Sequence, residues 1–80
     1  MGINTIVWCM MVVSINNGTS IEQVETAVKG RIIETNRDQY GDKVYTVNFI
    51  DYMKEKGYKY NASHEHWEIP EYLCTEVELE

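Results

Sequence analysis

The feature that most constrains this 80-residue chain is at its start: Ile6 to Val13 is an unbroken apolar run, and no charged side chain appears before Glu22. Eight residues are too few to span a bilayer as a helix, which needs about 20. Met1-Gly2-Ile3-Asn4 offers none of the basic residues that open a secretory signal, and Ile6 stands where a myristoylation motif wants Ser or Thr. The run therefore reads as part of a core, with a cytoplasmic location and no membrane partner as the expectation. Its β-branched and aromatic content, and the Asn16-Asn17-Gly18-Thr19 turn signal after it, favour a strand over a helix.

Charge is distributed just as unevenly. Residues 1–60 hold 7 acids and 7 bases, whereas the last twenty contain Glu65, Glu68, Glu71, Glu76, Glu78 and Glu80 with no Lys or Arg, which accounts for the whole net charge of −6. A nucleic-acid binder presents a basic stripe, and here every base is interleaved with acids, so direct DNA or RNA binding is disfavoured. Leu79-Glu80 reads as a cloning scar, leaving residues 1–78 as one small domain. Cys9 and Cys74 lie near opposite ends; a bridge between them would close a long loop, but without a secretion signal two reduced, largely buried thiols are expected.

Along the chain, Ser20 to Glu34 carries two competing patterns. Ser20 with Gln23 forms a capping box and Ile21, Val24 and Val28 keep helical spacing, while Val24, Thr26, Val28, Gly30 and Ile32 alternate as on a strand. Strand is favoured for 24–35, with a helical turn at 20–24 allowed before it. After a polar loop at Asn36 to Asp42, Lys43 to Ile50 alternates again and puts Tyr45, Val47 and Phe49 on one face. A short helix capped by Asp51 and ended by Gly57 then opens an insertion over 51–63. The expected ending is a strand from His64 to Ile69, Pro70, a turn at Glu71-Tyr72-Leu73 and a last strand from Cys74 to Glu78.

Three stretches carry a resemblance: Gly30-Arg31-Ile32-Ile33, Gly41 to Phe49, and Trp67-Glu68-Ile69-Pro70-Glu71-Tyr72-Leu73. The last resembles the Ile-Pro-x-x-Tyr-Val ending of SH3 domains. It implies a mainly β fold, an SH3-like small antiparallel barrel with a short helical insertion. The compact chain also resembles small accessory proteins of bacteriophages.

The candidate chemistry is sparse. His64-Glu65-His66 would point two imidazoles to one face if it were a strand, with Cys74 or Glu68 nearby, so a small metal-binding protein is one alternative; two polar edge histidines are the plainer reading. Cys9 sits in an apolar run that would solvate a thiolate poorly, and no glycine spacing forms a phosphate-cradling loop. No enzyme activity, cofactor or catalytic residue is expected. Tyr40, Tyr45, Tyr52, Tyr58, Tyr60, Trp67 and Tyr72 concentrate aromatic rings after residue 40. Tyr45 and Trp67 are expected in the core; Tyr58, Tyr60 and Tyr72 on the surface beside Glu68 and Glu71 would form an acidic-aromatic face. The leading expectation is a non-enzymatic inhibitor or adaptor that binds a basic protein surface there, away from the N-terminal run. The alternative from a second class is an acidic mimic of nucleic acid.

Overall fold

The computed structural model describes residues 2–77; Leu79, Glu80 and the end of the last expected strand at Glu78 lie outside them. Within that range the chain forms β1 (Ile6–Asn16), β2 (Ile21–Arg37), β3 (Lys43–Asn48), α1 (Ile50–Lys56), a 3-10 turn at Ala62–Glu65, β4 (Trp67–Pro70), a 3-10 turn at Glu71–Leu73 and β5 (Cys74–Glu76). It is mainly β: one antiparallel sheet in the order β4-β3-β2-β1-β5.

That order sets a geometric problem. β4 and β5 are the two outer strands, yet only Glu71–Leu73 separates them. Five flat strands put their outer members roughly 19 Å apart, four intervals of about 4.8 Å. The four steps from Pro70 to Cys74 reach at most about 14 Å when extended and roughly 8 Å when wound as a 3-10 turn. The sheet must therefore coil until its two edges approach. No β4–β5 ladder closes it among the described residues, so the sheet is coiled but not a hydrogen-bonded barrel.

β2 makes the coil possible because it serves both halves. Its residues Ile21–Arg31 pair with β1, while Arg31–Arg37 pair with β3. The β3 register slips between Ile32 and Glu34, leaving Ile33 as the extra residue of a bulge. A bulge bends its strand and increases the local twist, and this one falls where β2 passes from one partner to the other.

Val7, Cys9, Met11 and Val13 of β1, Val28 and Ile32 of β2, Tyr45 and Val47 of β3, Phe49, Met53 of α1, and Ile69 of β4 build a single core on the concave face. Gly30 is buried among them, and a Cβ there would lie 2.5 Å from Val47 Cγ1 and 2.6 Å from Phe49 Cδ1. The missing side chain is what lets Phe49 lie across the strand. α1 and the segment after it pack against the sheet. Met53 is fully buried, Gly57 ends the helix at φ 74°, and the Lys59 N–H donates to Ser14 O on β1.

Several expectations need correction. No helical turn forms at 20–24: Asn17 Oδ1 accepts from the Ser20 N–H and hydroxyl, which uses Ser20 in the hairpin turn, and β2 starts at Ile21. The α1 N-cap is Phe49 rather than Asp51, with Asn48 Oδ1 accepting from the Ile50 N–H. His64 belongs to a 3-10 turn, so β4 starts at Trp67 rather than at His64. The apolar run is not wholly buried either, since Met10 and Val12 on the convex face of β1 are 60% and 58% exposed. A strand has two faces and this sheet has one core; Trp8, on the same face, meets Tyr52 edge-on at 5.6 Å, and that cover does not extend along the strand.

Gly30→Ala gives a test of sign. Replacing a strand glycine ordinarily stabilises by about 0.5–1 kcal/mol, whereas overpacking a filled core costs about 1–3 kcal/mol. Overpacking should win here, and thermal denaturation should place the variant's midpoint roughly 5–20 °C below the parent's. A midpoint at or above the parent's would contradict the packing of Phe49 over Gly30.

Candidate functional site

Pro70 has no N–H to continue a central ladder, so it suits the end of an outer strand, and the next three residues wind into a 3-10 turn. This corner carries Glu71, Tyr72 and Leu73. Tyr45 lies opposite Ile69 on the neighbouring strand, and its hydroxyl donates to Glu71 Oε2. The Tyr45 side chain is fully buried, so the bond ties the corner to the core. Holding that proton on Tyr45 lowers the Glu71 pKa, with Lys43 and Arg37 adding to the effect, and pushes Tyr45 up to about 12, where burial reinforces the hydrogen bond.

Beside this latch lies a hollow of about 420 Å³ with Thr35, Asn36, Arg37, Lys43 and Tyr45 among its walls. Arg37 is oriented by donating to Gly41 O at 2.7 Å. The positive charge of Lys43 and Arg37 acts on Glu71 from this side.

The five residues of the expected acidic-aromatic face fall into two groups. Glu68, Glu71 and Tyr72 belong to β4 and the corner after it, against β3; Glu68 is exposed and Tyr72 is 83% exposed. Tyr58 and Tyr60 flank Lys59, whose backbone is bonded to β1. Tyr58 was expected on the surface but is half-buried: it packs against the core and meets the Tyr52 ring at 6.4 Å. Tyr60 is exposed, with Lys54 Nζ 5.7 Å from its ring centre.

Trp67 needs the opposite correction, since it was expected in the core and is 37% exposed. It lies opposite Val47 on the core side of the sheet, but it is the first residue of β4, so Ile69 fills the core position and the rim is left to Trp67. The His64 ring stacks on it at 5.2 Å, with planes 5° apart. His64 Nδ1 accepts from the Asn61 N–H, and His66 caps the 3-10 turn, so the two imidazoles are not paired on one strand face as a metal site would want. Among the described residues no group of three or more His, Cys, Asp or Glu side chains could hold a metal ion, and no helix is long and apolar enough to cross a membrane. Leu73, 51% exposed beside Tyr72, was not anticipated; the exposure of a turn with no following core position was the available signal.

No protein-family model, no curated protein and no solved structure matches this chain.

The latch predicts two limbs of a pH–stability profile. Glu71 titrates lower in the folded chain, so its contribution is complete above the unfolded value near 4.3 and is lost as pH falls through the folded value. Tyr45 titrates higher, so its contribution is complete below about 10 and is lost as pH rises toward 12. Melting midpoints across pH should show a shallower acid limb in Glu71→Gln and a shallower alkaline limb in Tyr45→Phe. Glu68→Lys, at an exposed position, should keep the parent's midpoint within a few degrees. Variant profiles parallel to the parent's at both extremes would refute the latch.

Proposed function

We propose that this chain is a non-enzymatic interaction module, an inhibitor or adaptor, that holds a basic protein surface through exposed rings and carboxylates around the β4–β5 corner. The observation that carries the reading is Tyr72, presented almost fully to solvent beside Leu73 on a turn whose other side is anchored through Glu71 to buried Tyr45. An aromatic ring on a rigid support loses little entropy on docking, and tyrosine is enriched where binding energy concentrates. Glu68 supplies the free carboxylate, and Tyr60, already facing the ammonium of Lys54, presents the kind of ring that a partner's Lys or Arg would meet. Glu71 and Tyr58 act from behind, the first by fixing the corner and the second by packing under the segment that ends in Tyr60.

The same reading takes the fold as a small barrel of SH3-like type. The 3-10 turn after Pro70, the return of β5 beside β1 and the coil that this return imposes support it. An accessory role of this kind is also what the resemblance to small bacteriophage proteins implies.

Isotope-labelled protein titrated with a Lys/Arg-rich peptide bearing one aromatic anchor should show amide shifts at Trp67, Glu68, Tyr72 and Leu73 and none at the Asn16–Asn17–Gly18 tip. Tyr72→Ala should weaken binding by more than tenfold with the fold intact, while a tenfold rise in salt should weaken it only a few-fold. A steep salt dependence with no effect of Tyr72→Ala would favour nucleic-acid mimicry instead. Shifts confined to other surfaces would overturn the proposal.

A further inference from the structure

The Cys9 and Cys74 thiols, which no part of the docking surface uses, meet across the β1–β5 ladder. They are direct partners in the antiparallel register, both are free thiols, and their sulfurs are 3.6 Å apart. The phase of the ladder sharpens the geometry. Ile6 O accepts from the Val77 N–H and Ser14 O from the Lys59 N–H, so the even-numbered residues of β1 direct their backbone groups toward the β5 edge. Cys9, an odd-numbered residue, is therefore in a non-hydrogen-bonded pair with Cys74, the closer of the two antiparallel pairings, with Cα atoms about 4.5 Å apart. That separation is inside the range that a disulfide spans without backbone movement.

We propose that Cys9 and Cys74 form a reversible dithiol–disulfide site whose substrates are low-molecular-weight disulfides such as oxidised glutathione. The two thiols have different roles. Cys74 is partly exposed and its S–H points to Pro70 O at 3.6 Å, whereas Cys9 is 1% exposed. Cys74 loses its proton and attacks one sulfur of the small disulfide; the sulfur–sulfur bond breaks, one thiolate leaves, and Cys74 carries the mixed disulfide. Cys9 then loses its proton and attacks the Cys74 sulfur from within the fold, expelling the second small thiolate. The two departing thiolates take up the two protons, so two protein thiols are oxidised, one small disulfide is reduced to two thiols, and the bridge Cys9–Cys74 remains. Burial pushes the Cys9 thiol up to about 12 and raises Cys74 too, so the exchange is slow near neutral pH and the dithiol form persists until oxidant is in excess.

The bridge has a structural consequence. β5 is held to β1 by three paired residues, and the two cysteines are 65 positions apart. A crosslink closing so long a loop restricts the unfolded chain far more than it alters the folded one. The outer strand β5 would be fastened covalently to β1.

The folded protein is incubated with excess oxidised glutathione, then analysed by intact mass, peptide mapping and thermal denaturation. The expected product is a monomer lighter by two hydrogen atoms, with a Cys9–Cys74 linked peptide and a midpoint higher by at least about 10 °C, reversed by dithiothreitol. Cys9→Ser should instead stop at a stable mixed disulfide on Cys74. Because Cys9→Ser replaces a core residue, Cys9→Ala is the second variant, and trapping of glutathione on Cys74 in either folded variant supports the assigned roles. Glutathione retained by the parent protein, a disulfide-linked dimer as the main product, or a bridged monomer with an unchanged or lower midpoint would overturn the proposal.

Discussion

The rest of this fold depends on the shortness of one connection. Three residues, Glu71–Leu73, join strands that lie at opposite edges of a five-stranded sheet, a separation that no flat sheet allows them to span. From that constraint follow the coil of the sheet, the placing of the core on its concave face and the bulge at Ile33 where β2 changes partners. Gly30 belongs to the same account. Where the coil brings β3 and Phe49 over β2, there is no room for a side chain, and the sequence supplies none.

The corner that closes this path is also where the chain presents itself to solvent. Tyr45 reaches from the core to Glu71, and the bond fixes the turn from one side while Tyr72 and Leu73 stand out on the other. Charge is sorted by the same geometry. Glu71 accepts from its tyrosine, and Arg37 and Lys43 lower its pKa further, so this carboxylate is engaged within the molecule and the acidity concentrated in the last twenty residues does not act as one undivided face. Glu68 remains exposed, whereas Glu71 is part of the support. That division explains how a chain with a small core can keep a ring as exposed as Tyr72 in a defined place.

Much of the fold was legible wherever a local rule and the tertiary demand agreed. Alternation placed Tyr45, Val47 and Phe49 on one face, Asn17-Gly18 marked the first turn, Gly57 ended the helix and Pro70 marked the last corner. The errors lie where two local rules competed or where depth mattered. Ser20 could cap a helix or close a turn, and the eleven-residue β1 offered Ile21–Arg31 a partner at every position, which decided for strand. Trp67 was expected on the core side of its strand, where it lies, but at the wrong depth, because alternation does not reveal that β4 begins at that residue. The candidate face was legible as composition only: nothing in the order of residues tells that Glu71 meets Tyr45 or that Tyr58 packs inward. Those contacts come from the coil, which is a property of strand order.

The central claim is that β5 returns to pair with β1, and it can be measured directly. In a non-hydrogen-bonded antiparallel pair the α-protons of opposed residues are in close contact. A nuclear Overhauser spectrum of the reduced protein should contain a strong cross-peak between the α-protons of Cys9 and Cys74. The absence of that peak, with Cys74 to Glu76 giving the narrow, random-coil signals of an unpaired tail, would contradict the strand order on which the coil, the latch and the thiol pair all rest.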